Sequence, residues 1–173
     1  MERDPPCQLT ALDMSVLEGM MDRLVSQARA DSAFSRLLRR KLAAARVRFH
    51  DDIDPHIATI NSRIEYRVDS GDVETGVLTH GGENALAGSA LPVSSLHGLA
   101  LLGLAEGDEI TIELADGRTE VLGVVRVAHQ PEAARLKRKP VRFGVISGAR
   151  ERHRRADDVP KKPDDDDPGP RAA

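Results

Sequence analysis

From Asp13 the apolar positions recur every three or four residues: Met14, Leu17, Met20 and Met21, Leu24 and Val25, then Ala28. That is the period of an amphipathic helix, with Asp13 or Thr10 as the residue whose side chain caps the first turn. A second stripe follows from Ser32 to Phe49, made of Phe34, Leu38, Leu42, Ala45 and Phe49, with Asp31 placed to cap it. Arg36, Arg39, Arg40, Lys41, Arg46 and Arg48 fall mostly off that stripe and read as a solvated basic face. The break near Gln27–Ala30 turns the pair into a short antiparallel helical hairpin over residues 10–50, each arm about 25 Å long.

Beyond Phe49 the pattern changes. "HDDIDPH", residues 50–56, carries Pro55 and three acids, and marks a solvated linker over 51–59. The period then becomes two: Ile64, Tyr66 and Val68 share one face of a strand, Gly71-Asp72 turns the chain, and "VETGVLTH" returns. "HGGENALAGS" reads as a turn rather than a phosphate cradle, because no Gly-Lys-Ser/Thr follows. A short strand near Ser89–Val93 leads to a helix over 94–102, capped by Ser94 or Ser95, with Leu96, Leu99 and Leu102 inward and Gly103 closing it. Gly107-Asp108 then turns into "EITIEL", and Asp116-Gly117 into the last strand, "TEVLGVVRVAHQ". Residues 60–135 are therefore expected to be an antiparallel sheet with one short helix, and the whole chain to be α+β. The leader before Thr10 reads as loose, and residues 136–173 as a disordered charged tail.

Charge adds one thing to this picture. The net charge is only −3, but residues 33–48 hold six basic residues and no acid, whereas Asp164–Asp167 are consecutive. A local basic face can meet an acidic partner although the molecule as a whole is not basic. With no Trp, one Tyr and three Phe, the chain lacks the exposed rings of a single-strand stacking platform. The single cysteine, Cys7, excludes an internal disulfide and a cysteine zinc site. No run approaches the ~20 apolar residues of a membrane span, and "MERDPPCQLT" has no apolar leader core, so a cytoplasmic protein without membrane partners is expected.

Candidate chemistry is sparse. His50, Asp51, Asp52, Asp54 and His56 are of types that suit a hard cation, but no glycine supplies the sharp loop, and the segment reads as a hinge. His97 and His129 stand in no nucleophile–base or metal-ligand spacing. No catalytic residue, metal or cofactor is assigned.

Three segments in register then point to a family. "INSRIEYRV" (60–68), "GLALLGLAEGDEITIEL" (98–114) and "VAHQPEAA" (127–134) resemble the Gre family of bacterial transcript-cleavage factors. The most telling parts are Asn61-Ser62-Arg63, Leu101-Leu102-Gly103 with Gly107-Asp108, and Gln130 to Ala134. The resemblance implies an FKBP-like C-terminal domain that docks on the rim of the secondary channel of RNA polymerase, with the hairpin as a coiled coil aimed into that channel. It implies docking through Ser94, Ser95, Leu96, Leu101, Leu102, Gly103, Gly107 and Asp108. The channel side would be Gln27, Arg29 and Asp31 at the coil tip, with Arg36, Arg39 and Arg40 facing acidic channel walls.

The chain departs from that family where chemistry is concerned. Cleavage factors hold a magnesium ion with an acidic pair at the tip, whereas "SQARAD" offers Asp31 alone. Leu96 and Glu106 stand where the family pattern carries Pro and Val. The expectation is a monomeric, polymerase-binding regulator of elongation that does not cleave RNA and reads no DNA sequence. Some relatives are tied by name to nucleoside diphosphate kinase, so that enzyme is a second implied partner, reached directly or through transcription. A peptidyl-prolyl isomerase is the third reading; it needs an aromatic pocket, for which this region offers only Tyr66 and Phe143.

Overall fold

The N-terminal helix starts where a threonine and an aspartate can satisfy each other's backbone. In the computed structural model, which describes residues 5–27, 32–81 and 89–138, α1 runs Ala11–Ser26 with Thr10 as its cap. The Thr10 hydroxyl accepts from the Asp13 N–H at 3.1 Å, and Asp13 Oδ2 accepts from the Thr10 N–H at 2.9 Å. This reciprocal box satisfies two amide groups that a helix start otherwise leaves open. The second helix, α2 (Ala33–Ala44), is capped by Ser32 rather than by Asp31, its hydroxyl accepting from the Ser35 N–H at 3.1 Å. Asp31 and Arg29 lie outside the described residues.

Two expectations at the ends of this pair are corrected. The leader is not loose: Cys7–Thr10 form β1. The second helix does not reach Phe49, because Ala45–Arg48 form β2, which pairs with β1 in parallel register from Cys7↔Ala45 to Thr10↔Arg48. "ARVRF" alternates apolar and basic residues, a period-two signal hidden inside a helical stripe. A partner strand on β1 decided between the two readings. Phe49 is accordingly 77% exposed rather than inward.

The remaining strands build one five-stranded sheet in the order β5-β4-β3-β7-β6. They are β3 (Arg63–Val68), β4 (Val73–Thr79), β5 (Ala90–Pro92), β6 (Glu109–Glu113) and β7 (Thr119–His129). Pairing is antiparallel except for β4–β5, which is parallel and corrects the all-antiparallel expectation. The ten residues between β4 and β5 give the chain the length to return and run alongside β4 in the same direction, which a two-residue hairpin does not allow. Helix α3 (Leu96–Leu101) packs on β5, β6 and β7 and on α2, and its Leu99 and Leu101 share one core with Ile64, Leu78, Ile112 and Leu122, all fully buried. Leu17, Met20, Leu37 and Leu38 of the N-terminal helices join the same cluster. The architecture is mixed α+β.

The stretch from 51 to 59, expected as a solvated linker, is pinned. Its acids are exposed, but Ile53, Ile57, Ala58 and Thr59 are buried. The Ala58 N–H donates to Leu104 O at 2.9 Å. After β7, α4 (Pro131–Arg138) continues the order past residue 135; the rest of the expected tail, from 139, lies outside the described residues. No described helix is long and apolar enough to cross a membrane.

The two glycines of "GLAEGD", residues 103–108, separate cleanly by environment. Gly103 and Gly107 have φ of +80° and +85°, a region that L side chains enter at a cost. A Cβ on Gly103 would lie 2.7 Å from Cys7 Sγ and 2.9 Å from Gln8 O, whereas one on Gly107 meets nothing within 4 Å. Gly107→Ala should therefore lower stability by about 1 kcal/mol. Gly103→Ala should lower it by roughly 3 kcal/mol, because strain adds to overlap with β1. Urea unfolding of the two variants checks this, and equal midpoints would refute the packing argument.

Candidate functional site

The expected docking edge divides into a surface and its support. Ser95 caps α3: its hydroxyl accepts from the Gly98 N–H at 3.0 Å and donates to Pro92 O at 2.7 Å. Gly98 is needed there, since a Cβ would sit 2.1 Å from Pro92 O. Ser94 is exposed, and Leu96 and His97 are half-buried. His97 Nε2 lies 2.9 Å from Glu120 Oε2, tying the helix to β7. Leu101, Leu102 and Gly103 are buried and cannot themselves touch a partner; they hold the edge in place. At the second turn Gly107 is exposed, while Asp108 Oδ2 accepts from the Ala105 N–H at 3.1 Å and so shapes the turn it stands in.

The motifs that carried the resemblance turn out to be a polar staple beneath this surface. Asn61 adopts φ +67°, a conformation its short amide side chain tolerates. Ser62 Oγ accepts from the Thr59 N–H at 3.1 Å, and the Thr59 hydroxyl donates to Glu132 Oε2 at 2.8 Å. Gln130 Nε2 donates to the carbonyls of Asp54 and Ile57 at 2.8 and 2.9 Å. Asp13 Oδ1 accepts from the Ile60 N–H at 3.1 Å, so the first helix is bonded to the strand entry. Burial pushes the Asp13 carboxyl above the usual aspartate range against these hydrogen bonds, and the nearby Glu132 charge pushes the same way.

Glu106, one of the departures, makes a second staple that sequence reasoning did not assign. Its Oε1 accepts from the Val127 N–H at 2.6 Å and its Oε2 lies 2.9 Å from His56 Nδ1. The Val127 N–H chiefly, then His56, hold its carboxyl below the usual glutamate range. The spacing of the two residues in sequence gives no signal for this pair. The acid and histidine cluster of 50–56 is used in the same structural way: Asp54 Oδ1 accepts from the His56 N–H at 2.9 Å. Among the described residues no group of three or more His, Cys, Asp or Glu is arranged to hold a metal ion.

The basic face of α2 is less uniform than its sequence. Arg36 pairs with Glu113 at 3.1 Å, and Arg40 donates to Thr111 O at 2.8 Å, so both lean onto β6. Arg39 is exposed, and no described residue pairs with it. Lys41, expected on the solvated face, is 2% exposed and donates from Nζ to Leu102 O. An ammonium there meets the negative end of α3, where carbonyls lack helical partners. Gln27 ends α1 and lines a groove of about 870 Å³ with Met20, Leu24, Phe34, His80 and Val93. Phe34 is the one aromatic among its described lining residues. Tyr66 is instead on the sheet's inner face, its hydroxyl donating to Glu74 Oε2 at 2.7 Å. Burial, reinforced by Glu74, pushes that hydroxyl up to about 12. Phe143 lies outside the described residues.

Comparison with known proteins supports the resemblance read from the motifs. No family model matches the chain. It is 38% identical over 82 residues to proteins named Regulator of nucleoside diphosphate kinase from Escherichia coli K12 and from Shigella flexneri. The match covers 46% of this chain and 60% of each relative, so the chain spans less than two thirds of the curated relatives it matches. Among solved structures, a prokaryotic transcription elongation factor GreA/GreB from Nitrosomonas europaea superposes with a TM-score of 0.53 at 27% identity, over 71% of this chain and 98% of that one.

The Glu106 staple has a pH signature. A carboxyl held below its ordinary value contributes stability above pH 4.5, and that contribution is lost as pH falls through the lowered value. Glu106→Gln keeps an acceptor for Val127 and removes the charge, so it should cost within about 1 kcal/mol at pH 7. Between about pH 5 and pH 3 the wild-type melting temperature should fall more steeply than the variant's. Parallel acid limbs in thermal melts would show that the staple does not titrate as the geometry requires.

Proposed function

We propose that this chain is an RNA-polymerase-binding regulator of transcription elongation that enters through the secondary channel and lacks transcript-cleavage acids. The observation that carries the reading is the superposition on a GreA/GreB-type elongation factor over 98% of that protein. In this reading the sheet is an FKBP-like docking domain, with exposed Ser94, half-buried Leu96 and the turn at Gly107 and Asp108 facing the rim. The helical pair is the coil that points inward. Helices of 16 and 12 residues reach only about 24 and 18 Å, which places the tip short of where a long coil would end. With Asp31 its single acid, the tip has no carboxylate pair to share a magnesium ion. The chain then acts by occupying the channel and displacing cleavage factors, and any effect on nucleoside diphosphate kinase runs through transcription.

A direct regulator of nucleoside diphosphate kinase is the second reading, favoured by the name of the 38% identical relatives. Binding to purified core polymerase and to purified kinase, measured side by side, separates the two. The polymerase reading expects retention on core polymerase and none on the kinase. It also expects no cleavage of RNA in backtracked complexes, with slower cleavage by an added Gre-type factor. Arg39→Glu should weaken polymerase retention about threefold to tenfold at low salt, and less at high salt where surface charge is screened. Retention on the kinase alone would transfer the function to the second reading. Turnover of a peptidyl-prolyl substrate above background would require the isomerase instead.

A further inference from the structure

The strand β2 leaves one edge without a described neighbour, although Ala45 packs against the core. It belongs to a two-stranded sheet in which β1 occupies one side, and no described strand pairs with the other. Val47 lies on one face of β2 and is 52% exposed, and Phe49, just past the strand, is 77% exposed. Arg46 and Arg48 project to the opposite face, are exposed, and pair with no described carboxylate. An open edge is a row of backbone donors and acceptors that a further extended chain can complete. Natural edges are commonly blunted by shortness, charge, proline or a bulge; Ala45–Arg48 is short and carries two basic residues, but has neither proline nor bulge.

We propose that β2 is a docking edge for an extended segment of a partner protein in which acidic and apolar residues alternate. The backbone of such a segment would extend the β1–β2 sheet by one strand, its acids meeting Arg46 and Arg48 and its apolar residues covering Val47 and Phe49. Backbone pairing gives affinity in this mode and the alternate side chains give selectivity. Charge decides against a second copy of this chain. Antiparallel self-pairing that matches the apolar faces sets Arg46 or Arg48 directly against an arginine, which is unfavourable. Shifting the register by one residue sets arginines beside Val47 and Phe49 and loses the apolar contact. An acidic, alternating strand satisfies both faces at once. This surface is separate from the edge at Ser94 and Gly107, and the inference stands independently of the polymerase reading.

The test uses the full chain and a fluorescein-labelled peptide of alternating Glu and Val, roughly eight residues long, the length of an ordinary strand. Fluorescence anisotropy at low salt should give saturable binding, and amide exchange at 45–48 should slow when the peptide is present. A peptide with the same composition but its acids in one block should bind at least about tenfold more weakly, as should the alternating peptide N-methylated on its pairing edge. Arg46→Glu with Arg48→Glu should weaken the Glu-Val peptide by roughly tenfold and acquire binding to a Lys-Val peptide, which proves that the variant is folded. Phe49→Thr should weaken the Glu-Val peptide alone. Equal binding of the block peptide, indifference to N-methylation, or no change in either charge-reversal arm would overturn the proposal. So would sedimentation as a dimer that Val47→Thr with Phe49→Thr dissociates, since the occupant would then be a second copy.

Discussion

The Leu102–Gly103 peptide is the junction on which the rest of the molecule depends. The Leu102 carbonyl receives the Lys41 ammonium and lies 3.9 Å from Cys7 Sγ. The Gly103 N–H donates to Ala58 O at 2.7 Å, and Gly103 O accepts from the Gln8 N–H at 2.9 Å. Four separate pieces of chain, β1, α2, the 51–59 segment and α3, are therefore fixed within one peptide unit of each other. No side chain fits there, which is why the residue is glycine. Burial raises the Cys7 thiol, opposed by Lys41, so the sulfur stays a neutral packing atom at this crossing.

Around that junction the polar residues serve architecture. Asp13 bonds the first helix to Ile60, Gln130 and Glu132 hold the entry to the sheet, and Glu106 ties β7 at Val127 to His56 of the segment before it. Asp13, Gln130 and Glu106 answer backbone groups and Glu132 a buried hydroxyl, and such groups are costly when buried and unmet. The result is that the N-terminal helices are not a separate arm on a hinge. Leu17, Leu37 and Leu38 share one core with the sheet. Among the exposed features are Ser94 and Gly107, Arg39 on α2, and the edge of β2 that no described strand pairs.

Much of this was legible from periodicity. Ile64 and Tyr66 point inward with period two, Leu99 and Leu102 are buried with helical spacing, and the turns at Asp116-Gly117 and Gly107-Asp108 fall where the pattern changes. Errors gathered where two periods overlap or where a partner is distant in sequence. "ARVRF" fits a helix stripe and an alternating strand equally well, and β1 selects the strand. The acids of 51–54 concealed Ile53 among them and Ile57 just after. Lys41 read as a surface charge because its acceptor is 61 residues away. The expected docking residues were named from motifs, and the structure sorts them by exposure: Leu101, Leu102 and Gly103 are buried, while Ser94 and Gly107 are exposed.

By itself, then, the sequence determined most local elements, the α+β class, and that "SQARAD" carries one acid in any conformation. Those properties follow from neighbours within a few residues, and chain order alone sets them. Tertiary structure decided which polar groups were spent on backbone, which cations stayed exposed, and that 45–48 would be a strand whose second edge no described strand pairs. These depend on groups brought together from 40 to 100 residues apart, such as Cys7 with Leu102 and Asp13 with Ile60. Short-range pattern cannot encode a partner that only packing supplies.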